Sequence, residues 1–410
     1  MHIGMIYGSN TEFPPDIRVE KEMGALCGAG HRLTILAMRV PSDAPREEHL
    51  YAGKIIIKRV PVTTMNLFTI LFESFSFLEP AWSHNLKKFI KDNRPDVLHV
   101  HDLVKIPAVI RIARRYGIPV IADLHENMPA AFKVSRVGHP TLKKLAKMIV
   151  YNEYVWRCHE RHSLPKCSRI LVVVPEAMER LSSYGISKDK IIIVSNTEDE
   201  TTFKRNSDQT DNNIIDAYKN YWTVTYIGGM GPHRGIDTTL KALPRLTEII
   251  PNIKFLIVGP SEKHRKKIYA EALSLGIENS VEIIGWQSFE KVSSYIMSSK
   301  ICLVPHNDFE HTNTTVPHKL FQYMICQKPV LVSSCRPLKR IIENTGAGLV
   351  FRASDPIDLS SKIEYMYNHP QELQQMGIKG EKAALGKYAW RHDASRLINM
   401  YNQLDKELSQ

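Results

Sequence analysis

The chain has 410 residues, 43% of them hydrophobic and 24% charged, with a formal net charge of +11. These values exclude a fibrous repeat and a disordered chain, and at about 150 residues per domain the length predicts two domains. The positive balance points to an anionic partner: nucleotide phosphates, a phosphorylated acceptor, an acidic membrane surface or nucleic acid.

Strands and helices alternate from the start. The pattern predicts strands at His2 to Tyr7, Arg32 to Ala37, Ile55 to Val60, Val97 to His101, Pro119 to Asp123, Arg169 to Val173 and Ile191 to Val194. Helices are expected between them at Val19 to Ala29, Trp82 to Asp92, Pro107 to Tyr116, Leu142 to His162 and Glu176 to Tyr184. Strands separated by helices imply βαβ units and a parallel sheet. Lys204 to Asn220 is polar and poor in strand formers, so it reads as a linker with at most one helical turn. A second alternation follows, with strands at Thr223 to Ile227, Lys254 to Val258, Val281 to Ile284, Ile301 to Val304 and Val330 to Val332. Its helices fall at Thr238 to Ile250, Glu262 to Leu275, Phe289 to Ser298 and Pro356 to Tyr367, and a last helix around Ala394 to Glu407 is expected to cross back onto the first domain. The fold class is therefore α/β with two doubly wound domains facing a central cleft: residues 1–205, a linker at 206–220, and residues 221–389, with about 390–410 returning to the first. Open α/β sheets bind ligands beyond the carboxyl ends of their strands.

Six scattered cysteines form no CxxC pair and no zinc-like spacing, which fits a reduced, cytoplasmic protein. MHIGMIYG begins a strand and lacks the character of a signal peptide. The most apolar window, Met65 to Trp82, is interrupted by Asn66, Glu73 and Glu79 and is too broken to span a bilayer. Lys143, Lys144, Lys147, Arg157 and Arg161 give one helical region a basic character, read as a solvated face or as contact with an anionic membrane.

Several segments carry chemistry. IGGMGPHRGID at 227–237 places Gly228, Gly229 and Gly231 between a strand and a helix, where backbone can approach a phosphate and Arg234 can grip it with two N–H groups. The dinucleotide spacing GxGxxG is absent, which disfavours a dehydrogenase. TTVPHKLFQYMICQKPVLV at 314–332 predicts a helix with Pro317 in its first position and Thr314 or Thr315 as cap, with Lys319 adding a cation to the helix N-terminus. DVLHVHDL puts His99 and His101 on one strand face, and IADLHEN ends a strand with Asp123, His125 and Glu126, groups suited to hydroxyl binding or proton transfer. His99 reads as a core residue, and a metal held by the three histidines is the weaker reading. In PPDIRVEKE, Asp16 and Arg18 read either as acceptor contacts or as a solvated helix start.

Taken in order, these segments resemble the retaining GT-B glycosyltransferases of family 4 over nearly the whole chain. PPDIRVEKEMGALCGAGHRLTILA, DVLHVHD, IADLHEN, IIIVSN, IGGMGPHRGID, VPHKLFQYMICQKPVLVS and KYAW each match a family segment. The chain has Gln322 where the family usually has Glu, Thr314 where an earlier acid would fall, and Gly229 where many members have Arg. The resemblance implies transfer of a sugar, with retention, from a nucleotide-sugar donor of UDP type to a saccharide or lipid-linked acceptor in cell-surface glycan synthesis, without a metal or other cofactor. It implies catalytic roles for His125, Arg234 and Lys319. Gly228, Gly229, Arg234, Gly259, Pro317, Lys319, Leu320 and Gln322 would bind the donor, while Asp16, Arg18, His101, Asp102, Asp123 and Glu126 would lie on the acceptor side. The expected setting is the cytoplasm, extending to the inner face of the plasma membrane, with no nucleic-acid partner. A nucleotide-sugar epimerase of the same fold, or a catalytically silent donor-binding subunit, is the alternative.

Overall fold

The computed structural model describes residues 1–9, 12–61, 80–137, 152–207 and 210–410. The chain divides into two units, the first formed by Met1–Ser195 with Asp393–Gln410 and the second by Asn196–His392. Each is built on a sheet whose central strands are apolar along most of their length, as strands covered on both faces must be.

Among the described residues, the first unit holds a sheet of eight strands in the order β3-β4-β2-β1-β5-β6-β7-β8. These are β1 (His2–Tyr7), β2 (Arg32–Met38), β3 (Glu47–Leu50), β4 (Ile55–Val60), β5 (Val97–His101), β6 (Val120–Leu124), β7 (Arg169–Val172) and β8 (Ile191–Ile193). All neighbours pair in parallel except β3 with β4. The chain winds outward from β1 through β2 to β4, then returns to place β5 on the other side of β1, with Tyr7 opposite His101. That reversal opens a crevice beyond the carboxyl ends of β1 and β5. Polar β3, with sequence EEHL, escapes sequence reading because an edge strand needs no apolar face.

Among the described residues, the second unit holds a sheet of six parallel strands in the order β11-β10-β9-β12-β13-β14. They are β9 (Trp222–Ile227), β10 (Ile253–Val258), β11 (Val281–Ile284), β12 (Ile301–Val304), β13 (Val330–Ser333) and β14 (Gly348–Phe351). Its core includes Tyr226, Leu240, Leu243, Phe255, Ile257, Leu303, Leu331 and Phe351. The reversal here lies between β9 and β12, so the segments after Ile227 and Val304 flank the second crevice.

Residues expected to form a linker instead belong to the second unit. The Glu200–Ser207 helix sets Phe203 against Phe289, and in the Asn212–Tyr218 helix Tyr218 Oη donates to Glu282 at 2.7 Å. A few large rings anchor these polar helices, so the boundary falls at Ser195 rather than near 205. The Trp390–Leu408 helix does return to the first unit, burying Leu397, Met400, Tyr401 and Leu404 at helical spacing. Each such apolar side chain contributes about 1.5–3 kcal/mol. The helices Met128–Val134, Arg336–Thr345 and Pro370–Leu385, and strand β14, go beyond the sequence expectation. Most of the Met65 to Trp82 window, and Lys143, Lys144 and Lys147, lie outside the described residues, where the Leu142 to His162 expectation is represented by a Glu153–Ser163 helix. No helix among the described residues is long and apolar enough to cross a membrane.

Candidate functional site

Each unit gathers polar side chains at its own sheet reversal. In the first, Asp123 at the end of β6 is fully buried and accepts four hydrogen bonds from three side chains. The Arg18 guanidinium makes two of them, Nε to Oδ2 at 3.1 Å and Nη2 to Oδ1 at 2.6 Å. His101 Nδ1 lies 3.0 Å and His125 Nε2 2.8 Å from Oδ2. Because an ionised carboxylate only accepts, both imidazole nitrogens facing it carry protons. Burial would raise the Asp123 carboxyl, but Arg18 and then His125 outweigh it and hold it well below the usual range.

Asp16, expected on the acceptor side, caps the Ile17–Gly28 helix by accepting from the backbone N–H of Arg18 and Val19, both at 3.1 Å. That cap starts the helix on which Arg18 and Glu22 share a face, with Arg18 Nη2 3.1 Å from Glu22 Oε1. Arg18 is 3% exposed and also donates to the Val194 carbonyl at 2.8 Å, so its charge serves the interior rather than the solvent side of the crevice. Glu22, His99, His101 and Asp123 bring one ligand atom each within 4.8 Å of one another. The cation among them is the Arg18 guanidinium, whose hold on both carboxylates leaves the set poorly suited to a divalent ion.

His125 and Asp102 form the accessible rim. Burial alone would lower the His125 imidazolium, but Asp102 and Asp123 outweigh it and carry the pKa up to about 10. Burial raises the Asp102 carboxyl to about 6. Asp102 sits at φ 63°, which costs a non-glycine residue about 1–3 kcal/mol, and its N–H donates to the Asp123 carbonyl at 2.8 Å. The rim therefore presents a fixed imidazolium donor and a carboxyl, with part-buried Glu126 beside them. His101 is the interior member: burial holds its pKa down to about 3.

In the second unit the glycine loop after β9 and the loop after β12 converge. Gly228 has φ 130°, and a Cβ there would lie 2.7 Å from Lys319 Nζ, so only glycine admits the ammonium against this backbone. Gly235 has φ 67°, and a Cβ would meet the Pro305 carbonyl oxygen at 1.7 Å, which lets the 227–237 loop close on the segment after β12. Gly229 accepts at its carbonyl from Tyr226 Oη at 2.8 Å, and Gly259 packs against the Gly228 carbonyl.

Lys319 is half-buried as a residue, yet its Nζ is buried without a hydrogen-bond partner among the described residues. It stands 3.8 Å from the centroid of the Tyr226 ring. Burial, then Arg234, pushes its pKa well below the usual lysine range. Arg234 Nη1 donates to His306 Nε2 at 3.1 Å, which leaves the His306 proton on Nδ1. Burial followed by Arg234 keeps His306 well below its ordinary value and holds His233 at about 3. Neutral imidazoles thus surround two cations, an arrangement that receives an anion.

The helix carrying Lys319 is His318–Ile325; Pro317 precedes it as N-cap rather than entering it, and no side chain caps it. Thr314, expected as a cap, hydrogen-bonds back to the Glu310 carbonyl at 2.8 Å because residues 312–314 form a separate helical turn. Leu320 is core, fully buried, while Gln322 is 6% exposed and donates from Nε2 to Glu198 Oε2 at 2.7 Å. The sequence reading missed Glu22, Glu198, His233 and His306. His306 had a usable signal, its place just past an apolar strand, whereas Glu198 meets Gln322 only through folding.

The two halves of the chain match known families in order. The pattern "Glycosyltransferase Family 4" matches residues 19–200 and "Glycosyl transferases group 1" matches 207–383. Alpha-D-kanosaminyltransferase of Streptomyces kanamyceticus is 19% identical, over 92% of this chain and 96% of its own. Sucrose-phosphate synthase from Thermosynechococcus elongatus shares the fold with a TM-score of 0.78 at 15% identity, covering 99% of each chain. Anabaena HepE, solved in complex with UDP-glucose, gives 0.73 at 11% identity, over 98% of this chain and all of its own. With both halves matched in order and two doubly wound units in the fold, the chain belongs to the group 1 glycosyltransferases of GT-B fold.

Proposed function

We propose that this glycosyltransferase moves a sugar from a UDP-linked donor to a hydroxyl of a saccharide or lipid-linked acceptor in cell-surface glycan synthesis, with retention of anomeric configuration. The observation that carries the reading is the pair Arg234 and Lys319, two cations at the second unit's sheet reversal with, among the described residues, no carboxylate bonded to either. A departing nucleoside diphosphate develops negative charge, and fixed cations aimed at it stabilise the transition state. In this reading they supply the charge that a metal supplies elsewhere, so the reaction needs no cofactor. Gly228, Gly229, Gly259 and Pro317 form the wall around the diphosphate, Leu320 seats the helix, and Gln322 meets the ribose. Support for UDP comes from HepE, which shares the fold and binds UDP-glucose.

The first unit's rim supplies hydroxyl recognition, with the His125 imidazolium touching the transferred sugar and Asp102 and Glu126 meeting acceptor hydroxyls. Asp16, Arg18, His101 and Asp123 hold that rim in place. The net charge of +11 suits an anionic, lipid-linked acceptor at the inner membrane face. Arg234→Ala should cut turnover of the preferred UDP-sugar at least tenfold, the loss from about 1.4 kcal/mol of transition-state stabilisation. Turnover measured by UDP release in the presence of acceptor checks it, and a wild-type rate removes Arg234 from the mechanism.

A further inference from the structure

One buried contact of the second unit has no part in the sheet or the core. Glu198 and Gln322 are 4% and 6% exposed, and the Gln322 Nε2 donates to Glu198 Oε2 at 2.7 Å. The segment carrying Glu198 is anchored to the same helix entrance a second time, by Asn196 Nδ2 donating to the Val316 carbonyl at 3.0 Å. Glu198 Oε1 accepts from the Asp199 N–H at 3.3 Å, so the carboxylate is held at both oxygens. Gln322 lies three residues after Lys319 and therefore beside it on the helix surface.

A carboxamide has two faces of opposite character, a carbonyl acceptor and an NH2 donor, and a free glutamine side chain can present either. Glu198 removes that choice, because an ionised carboxylate accepts only and requires the NH2 against it. Among the described residues, Gln322 Oε1 makes no hydrogen bond. We propose that Glu198 is a positioning residue that turns the Gln322 carbonyl oxygen toward the bound nucleotide, making position 322 an acceptor that selects a ribose hydroxyl. The inference rests on the nucleotide-sugar reading above and adds how this chain, lacking an acid at 322, keeps an acceptor there. A site built to accept from a hydroxyl rejects the analogue lacking it, because its buried acceptor is then left unpaired.

Calorimetric titration with UDP and with 2′,3′-dideoxy-UDP tests it. Wild type should favour UDP about tenfold or more. Glu198→Gln, nearly the same shape, frees the amide pair to turn over and should reduce that preference to about twofold or less. Gln322→Glu alone should bind UDP poorly, since two carboxylates then face each other. The swap Glu198→Gln with Gln322→Glu restores one acid and one amide and should recover the preference to within about threefold. Recovery in the swap is a result that a merely structural contact does not give. An undiminished preference in Glu198→Gln overturns the inference and leaves the function reading standing, as does a loss that the swap fails to restore. If wild type binds none of UDP, GDP, ADP and TDP, the function reading itself falls and takes this inference with it.

Discussion

The two sheet reversals handle charge in opposite ways. In the buried cluster of the first unit the charges answer one another: Asp123 accepts from Arg18, His101 and His125, and Arg18 also reaches Glu22 and the Val194 carbonyl. In the second, Arg234 bonds a neutral histidine and Lys319 lies over an aromatic face, and among the described residues no carboxylate bonds either cation. The first is a closed network that displays one fixed imidazolium at its rim; the second leaves unanswered charge in a low-dielectric pocket. Closed networks favour a rigid shape for neutral hydroxyl groups, whereas an open pair of cations gives up stability in the empty protein to gain affinity for an anion.

Removing one charge from each region should therefore have opposite effects. Asp123→Asn leaves Arg18 and the His125 imidazolium buried against an amide, and breaking a buried pair this way costs about 3–5 kcal/mol. Urea unfolding of the empty protein measures it, and a loss below about 1 kcal/mol would show that the first network is not closed. Lys319→Met removes a buried amine that bonds no carboxylate among the described residues, so the empty protein should gain about 1–2 kcal/mol while UDP loses its stabilising effect on the melting temperature. Destabilisation of the empty protein by Lys319→Met would mean that this ammonium already has its partner, and the contrast between the two units would disappear.

Much of this contrast was legible in the sequence, for particular reasons. Both parallel sheets were visible because doubly covered strands such as IKFLIV and VLHVH are apolar throughout. Asp123 and His125 stood out because strand ends at a reversal face the crevice, and the glycine loop stood out through its spacing. The charged, loop-like sequence neighbours of Arg18 point to the acceptor side. The fold instead turns it inward, since Asp123, 105 residues away, offers it a bidentate partner. Glu198 and Glu22 were invisible for the same reason: a lone acid in a polar stretch carries no sign of the partner that the fold brings. The Asn212–Tyr218 helix was hidden by its polar composition, because what holds it is a hydrogen bond from Tyr218 to Glu282 and not a periodic apolar face.

The finest test of the closed network is its pH dependence through His125. Its folded pKa of about 10 lies above the ordinary 6.5, so the folded state binds this proton more tightly than the unfolded chain. The stability it contributes is fully present below about pH 6.5 and fades as pH rises through 10. Other groups in the molecule titrate in the same window, Lys319 with the opposite sign because its pKa is lowered, so wild type alone does not isolate the effect. The difference between wild type and His125→Gln does, because the amide can still donate to Asp123 but carries no proton that titrates. The His125 ring is 18% exposed, so solvent screening limits the expected gap to about 1 kcal/mol. Denaturant unfolding of both proteins from pH 6 to 10.5 should show that gap closing as pH rises. A gap that stays constant across the range would mean that His125 is neutral in the folded chain, and that the rim presents an imidazole rather than a fixed cation.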